Sequence, residues 1–306
     1  METLEIVDKY HEHEYFLRYR VHFLHEDFQI NNFDKIIYQY CNAIDKEKRI
    51  GIIMYFIDFE QFDDFKDFID SVGTVDFSDN IDLFLKYALS QYYTDNLYKF
   101  IKFFLENGAN AACDDSICLK LAQSSSTNCK YDTIKLLLEY GANINTDNDY
   151  VLRCQCANFI EDLDYIKFLV EQRANIHANN NHAFCISILR GNIDICKYFI
   201  DIGANINARN GYPLRHCVRE KPHLVQLLLD NGADIKYLMA IDIISCIRDY
   251  NTDLLKLLLD YGFDIGILNN IVLSEDVNSF INFLSNNSID ISKAFALVTN
   301  GYKKIE

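Results

Sequence analysis

The side chains best equipped for chemistry in this 306-residue chain are its eight histidines and ten cysteines. Four histidines crowd the start, in HEHEYFLRYRVHFLH, as His11, His13, His22 and His25. A metal centre needs its ligands on one face. His11 and His13 diverge on a helix, whereas His22 and His25 are spaced to meet. The run lacks H-E-x-x-H spacing and no cysteine pair stands near it, so solvated helical histidines are expected rather than a metal site. Cys154 and Cys156 are two apart and Cys113 and Cys118 five apart. Neither is a C-x-x-C pair and no matching second pair follows, so zinc or redox chemistry is not expected of them. The chain also has no G-x-G-x-x-G, no phosphate loop ending in G-K-[ST] and no G-x-S-x-G elbow. No catalytic residue, metal or cofactor is assigned, and no enzyme is expected.

Composition narrows the partners. The net charge is −16 and no Lys/Arg-rich run relieves it, which argues against nucleic acid or an anionic membrane and for a basic or neutral protein surface. The opening residues, METLEIVDKYHEHEYF, lack a signal-peptide core, and no apolar run reaches membrane-spanning length. A cytoplasmic protein is expected, a monomer, with its cysteines reduced and used as small buried hydrophobes. Half the residues are hydrophobic, enough for a large core.

What positions everything is a repeat. Glycine is scarce, at eleven residues, yet five glycines close one phrase: KFFLENGANA, KLLLEYGANI, KYFIDIGANI, QLLLDNGADI and KLLLDYGFDI. They are Gly108, Gly141, Gly203, Gly232 and Gly262; a sixth copy, KFLVEQRANI, puts Arg173 in the same register. Successive spacings are 33, 32, 30, 29 and 30 residues, the period of a stacked array. Ile134, Leu137 and Leu138 lie at i, i+3, i+4, the inner stripe of a short helix, as do Ile166, Leu169, Val170 and Val225, Leu228, Leu229. The residue in the glycine register stops that helix in the left-handed conformation, which costs a side chain ~1–2 kcal/mol. Ala and Asn or Asp then turn the chain, and Ile144, Ile176, Ile206, Ile235 and Ile265 are expected to re-enter the core. Lys102, Lys135, Lys167, Lys197, Gln226 and Lys256 stand four residues before an acid, an exposed back whose pairs are worth ~0.3 kcal/mol each. A shorter helix precedes each stop helix, most plainly at NGYPLRHC, where Pro213 suits the first helical turn.

Turn, short helix, tight turn, second helix, glycine and AN/D-I-N over about 30 residues resembles the ankyrin repeat. Gly211, Pro213, Leu214 and Cys217 match the first half of the family pattern, and Leu224 to Asp234 the second. Tyr212 and Arg215 stand where the family has Thr and His. These departures, with a composition enriched in residue types that have A/T-rich codons, make the chain similar to ankyrin-repeat proteins of giant DNA viruses of the mimivirus type. The resemblance implies an all-α solenoid of stacked helix-turn-helix units joined by short turns or hairpin-like loops. It covers residues 76–267 as about six repeats; residues 1–75 read as a helical cap, worn repeats or a small separate domain, and 268–306 as a worn capping repeat and tail.

The family's function implies a protein partner held on the concave face that turn tips and first helices line. The tips here supply Asp147, Asn148, Asp149 and Tyr150, then Asn179, Asn180 and His182, then Arg209, Asn210 and Tyr212, with Tyr237 on an apolar tip, KYLMA. These vary while the frame holds, as a tunable surface would. A second reading is a viral substrate adaptor that recruits a host ubiquitin ligase through residues 1–75. The resemblance further raises hydroxylation of Asn145 or Asn207, although Asn143 and Asn205 replace the usual preceding acid.

Overall fold

The computed structural model describes residues 46–72, 79–91, 94–124, 130–158, 162–239, 241–243 and 251–264. The histidines of the first 25 residues and the C-terminal segment 268–306 lie outside them, as does Ile265. Every regular element among the described residues is helical. In chain order they are α1 (Lys46–Asp58), α2 (Phe62–Val72), α3 (Ile81–Ser90), α4 (Asp95–Glu106), α5 (Cys113–Ser124), α6 (Lys130–Glu139) and α7 (Thr146–Ala157). There follow α8 (Leu163–Glu171), α9 (Ala178–Arg190), α10 (Ile193–Asp201), α11 (Ala208–Glu220), α12 (Val225–Asp230) and α13 (Thr252–Asp260), with single 3-10 turns at Pro222–Leu224 and Ile235–Tyr237. Two compact units divide these residues, one up to 154 together with 171–174 and the other the remainder.

In the first unit α3 packs on α5 and α4 on α6, so first helices stack on first helices and second on second. The pair α1–α2 continues the same arrangement, α1 on α3 and α2 on α4. Phenylalanine cements it: Phe56, Phe65, Phe68, Phe84, Phe100 and Phe104 are fully buried. Phe65 meets Phe100 at 5.1 Å and Phe56 meets Phe68 at 5.2 Å between ring centres. Each such ring buried contributes ~1.5–3 kcal/mol of transfer free energy. In the second unit α9 packs on both α10 and α11, and α11 on α12.

The repeat ends behave as their residue types require. At Gly108 the chain turns left-handed, φ 101°, with Gly108 N–H donating to Leu105 O (3.1 Å) and Ala109 N–H to Phe104 O (3.0 Å). That is the Schellman closure, and Gly141, Gly203, Gly232 and Gly262 repeat it. Arg173 takes the same hand at φ 70°. A Cβ built on any of those five glycines meets nothing within 4 Å, so the register demands a backbone hand and not a missing side chain. The following Asn or Asp then makes an Asx turn: Asn110, Asn143, Asn175, Asn205 and Asp234 each accept the N–H two residues on, at 2.9–3.1 Å.

Two packing expectations need correction. Of the isoleucines meant to re-enter the core, Ile144 is buried but Ile176, Ile206 and Ile235 are only half-buried. The alanine two residues earlier takes the inner place at Ala109, Ala142, Ala174 and Ala233, because the closure brings that residue directly under the helix end. In the stop helices Leu138 and Val170 are half-buried while Leu136 and Phe168 are buried. The expected back is exposed at Lys102, Lys135, Lys197, Gln226 and Lys256. Lys102 reaches Glu106 at 3.8 Å, whereas Lys167 turns to Asp164, one turn toward the N-terminus, at 3.4 Å.

Candidate partner-binding surface

The tips ahead of the first helices are not hairpins. In α5, α7, α9 and α11 three consecutive residues adopt left-handed backbone before the right-handed helix begins: Asp114–Asp115–Ser116, Asp147–Asn148–Asp149, Asn179–Asn180–Asn181 and Arg209–Asn210–Gly211. Asn, Asp and Gly are the residues that enter this region at least cost. Eleven of these twelve positions are Asp, Asn, Ser or Gly, Arg209 being the twelfth, so the backbone hand accounts for most of the polarity of the tips.

The third residue of each triplet points inward. Ser116, Asp149 and Asn181 are buried, and Gly211 lies buried beneath Tyr237. Ser116 Oγ accepts the N–H of Asn143 and Asn181 Oδ1 that of Asn205, each at 2.9 Å. Where Gly211 has no side chain to offer, Asn207 Oδ1 accepts the N–H of Asp234 at 2.8 Å, and Asn207 Nδ2 donates to Gly232 O at 3.2 Å. One unit ahead of this series, Asp82 Oδ1 accepts Asn110 N–H at 2.7 Å. Asp82, Ser116, Asn181 and Asn207 therefore hold the main chain of the next loop, each satisfying a donor that would otherwise be orphaned. Asn145 is exposed, whereas Asn207 is engaged in this frame.

Cations clamp the triplets. Arg153 donates from Nε to Asn148 O (2.9 Å) and from its terminal nitrogen to Asp147 O (2.8 Å), lying 5.9 Å over the Tyr150 ring. Lys86 pairs with Asp114 at 2.7 Å, Lys120 with Asp147 at 3.3 Å, and Arg209 donates to Asn179 O at 2.9 Å. In the second unit Asp242, fully buried, accepts from Arg215 Nε at 2.9 Å, pairs with Arg219 at 3.4 Å, and accepts Met239 N–H at 2.9 Å.

The proposed contact residues thus separate. Asp149 and Tyr150 are buried and cannot be touched by a partner. Burial pushes the Tyr150 phenol well above its ordinary value. Asn148, Asn179, Asn180, Arg209, Asn210 and Tyr237 are exposed; Asp147, His182 and Tyr212 are half-buried. Tyr212 stacks on His216, ring centres 5.6 Å apart at 15°, and burial raises the tyrosine and lowers the histidine relative to their usual values. The apolar tip splits: Leu238 is buried, while Tyr237, Met239 and Ile241 are 39%, 45% and 57% exposed. Met239 and Ile241 were not among the expected contacts, although the apolar run KYLMAI carries both. Among the described residues no group of three or more His, Cys, Asp or Glu is placed to hold a metal, and no helix is long and apolar enough to cross a membrane.

The comparisons agree with this geometry. Residues 154–238 match the family described as ankyrin repeats, in three copies. The chain is similar to two proteins of Acanthamoeba polyphaga mimivirus. It is 35% identical over 114 residues to one named ankyrin repeat protein R603, covering 34% of this chain and 37% of that protein. It is 29% identical over 96 residues to one named ankyrin repeat protein R601, covering 31% of each. The matched stretch spans about a third of either relative's length. The three matched copies include Arg173 in the glycine register, and the same closures recur outside them at Gly108, Gly141 and Gly262, so residues 154–238 carry ankyrin repeats and the described residues around them follow the same helical-repeat pattern.

Proposed function

We propose that the chain is a non-enzymatic scaffold that grips a partner protein on the concave side that turn tips and first helices line. The observation that carries this is a set of exposed side chains that the tip backbone does not require: Arg209 is left-handed at φ 53° yet neither Asx nor Gly, and Tyr237 and Met239 stay exposed on the next tip. In the second unit Arg209, Tyr212 and Tyr237, with exposed Met239 and Ile241, join arginine, aromatic and thioether groups of the kind that dominate interface energetics. The chain's charge of −16 suits a basic or neutral partner surface.

Site-specific photo-cross-linking tests the assignment. A photoreactive residue is placed at Asn180, Arg209 or Tyr237, and separately at Lys197 or Lys256 on the exposed back. Adducts with one partner from the tip positions alone are expected. The same adducts from the back positions, or from the back only, would show that the assigned side is wrong.

A further inference from the structure

Most cysteines of the described residues are buried within the helix packing. One pair differs. Cys113 opens α5 and Cys118 lies in its first right-handed turn, and their Sγ atoms are 3.8 Å apart. On an uninterrupted helix residues five apart point in different directions. Here the left-handed triplet Asp114–Ser116 intervenes and folds Cys113 back over Cys118. Cys113 is half-buried at the edge of the turn, whereas Cys118 is fully buried.

We propose that Cys113 and Cys118 form a dithiol modification site, which a hydroperoxide converts to an intrachain disulfide across this tip. The Cys113 thiolate attacks the O–O bond of the peroxide; its sulfur becomes a sulfenic acid, and the departing hydroxide takes up the proton that the thiol released. Cys118 sulfur then attacks the sulfenic sulfur, the S–S bond forms, the S–O bond breaks, and water leaves with the Cys118 proton. Two thiols and one hydrogen peroxide give one disulfide and two waters.

The surroundings divide the roles in that order. Cys113 is held below the ordinary thiol value, first by the hydrogen bond from Cys118 and then by nearby Lys86, itself 2.7 Å from Asp114. Cys118 is raised by the same hydrogen bond and by burial, so it keeps its proton until the second step. Burial pushes Cys185 up to about 11 and raises Cys217 further, which leaves those thiols inert. Closing the bond brings the sulfurs from 3.8 Å to ~2.05 Å, a movement that falls on Cys113 because Cys118 is fixed within the core. The bridge would span Ser116, which holds Asn143, and so would staple the tip that carries the junction to the next repeat.

The sequence provides a clean readout, because cleavage after Lys102 and Lys120 releases residues 103–120 with these two cysteines and no other. The reduced full-length chain is treated with hydrogen peroxide, quenched with N-ethylmaleimide, digested and weighed. The expected product is this peptide two hydrogens lighter and carrying no maleimide, formed faster in native protein than in urea. In Cys118→Ser the same peptide should stop as a sulfenic acid trapped by dimedone. The proposal is overturned by a peptide that retains both maleimides, by Cys113 advancing to sulfinic acid without a bridge, by a bridge to a third cysteine, or by equal rates in urea.

Discussion

Replacing Arg173 with glycine isolates one backbone term. Arg173 sits at φ 70° in the register where the other copies have glycine at φ 86–101°, and its side chain is exposed. At those glycines a Cβ would meet nothing within 4 Å, so Arg173→Gly relieves no clash and opens no cavity. What it removes is the left-handed penalty of a residue with a Cβ, ~1–2 kcal/mol. Against this stands the extra freedom glycine gives the unfolded chain, ~0.4–1 kcal/mol. The net expectation is a gain of about 0.5–1 kcal/mol, which moves Tm by about 2–4 °C per kcal/mol in a chain of this size. Urea unfolding followed by helical circular dichroism measures it, with an unchanged m-value required so that the shift in midpoint reads as stability. The mirror substitution, Gly203→Arg, should lose a similar amount, since that position is also exposed with open space around it. A midpoint for Arg173→Gly equal to or below that of the parent, with Gly203→Arg costly as expected, would refute the reasoning. It would mean that the arginine side chain makes a contact worth as much as the strain it tolerates.

Three further outcomes follow from individual contacts. Gly211→Ala should cost ~2–4 kcal/mol, well above Gly203→Ala at ~1–2 kcal/mol, because its Cβ would stand 2.3 Å from Tyr237 Cβ as well as at φ 70°; equal losses in urea melts would show that Tyr237 gives way freely. Asp242→Ala should cost ~1–3 kcal/mol, the arginines being part-exposed and able to rehydrate, and Asp242→Asn less, because it keeps an acceptor for Met239 N–H; equal costs for the two would deny the N–H a role. His216 is neutral in the fold, burial holding its imidazole below the usual value with Arg219 and Lys221 adding to the effect and Glu220 opposing it. The unfolded chain therefore binds the proton first, so this contribution is full above pH ~6.5 and is lost as pH falls toward the lower folded value. The midpoint difference between the parent and His216→Gln should narrow from pH 7.5 to 5.5, and a constant difference would contradict it.

The helix stops were legible because one physical demand, a left-handed residue, falls at one register, and spacing alone puts Arg173 in it. The Asx turns were legible for the same reason, since the Asn or Asp at that position has one local job. The first-helix tips were not. Asp147–Asp149 and Asn179–Asn181 look like polar surface, and no pattern in a single sequence says that three consecutive residues will all turn left-handed. The burial of Asp149 and Tyr150 follows from that hidden reversal, which turns the third and fourth tip residues toward the core. Cys113 and Cys118 form no C-x-x-C pair, and their spacing of five does not by itself reveal that the reversal between them brings the sulfurs to 3.8 Å.

That reversal also changes what counts as a sign of binding. Variable polar residues at loop tips over a constant frame ordinarily suggest a surface tuned to partners. Here a left-handed triplet favours Asn, Asp and Gly whatever the partner, so Asn179, Asn180 and Asn210 are already accounted for by their backbone and add little to an interface argument. Information about a partner resides in the positions where residue choice departs from what the backbone favours. Arg209 is such a position, left-handed at φ 53° yet neither Asx nor Gly, exposed, and donating to Asn179 O. Tyr237 and Met239 are others, since a tip that needed only to turn would not leave a phenol and a thioether in water. These residues lie on consecutive tips of the second unit. A partner surface that accepts an arginine beside exposed apolar groups is therefore a sharper expectation than polar tips alone could support.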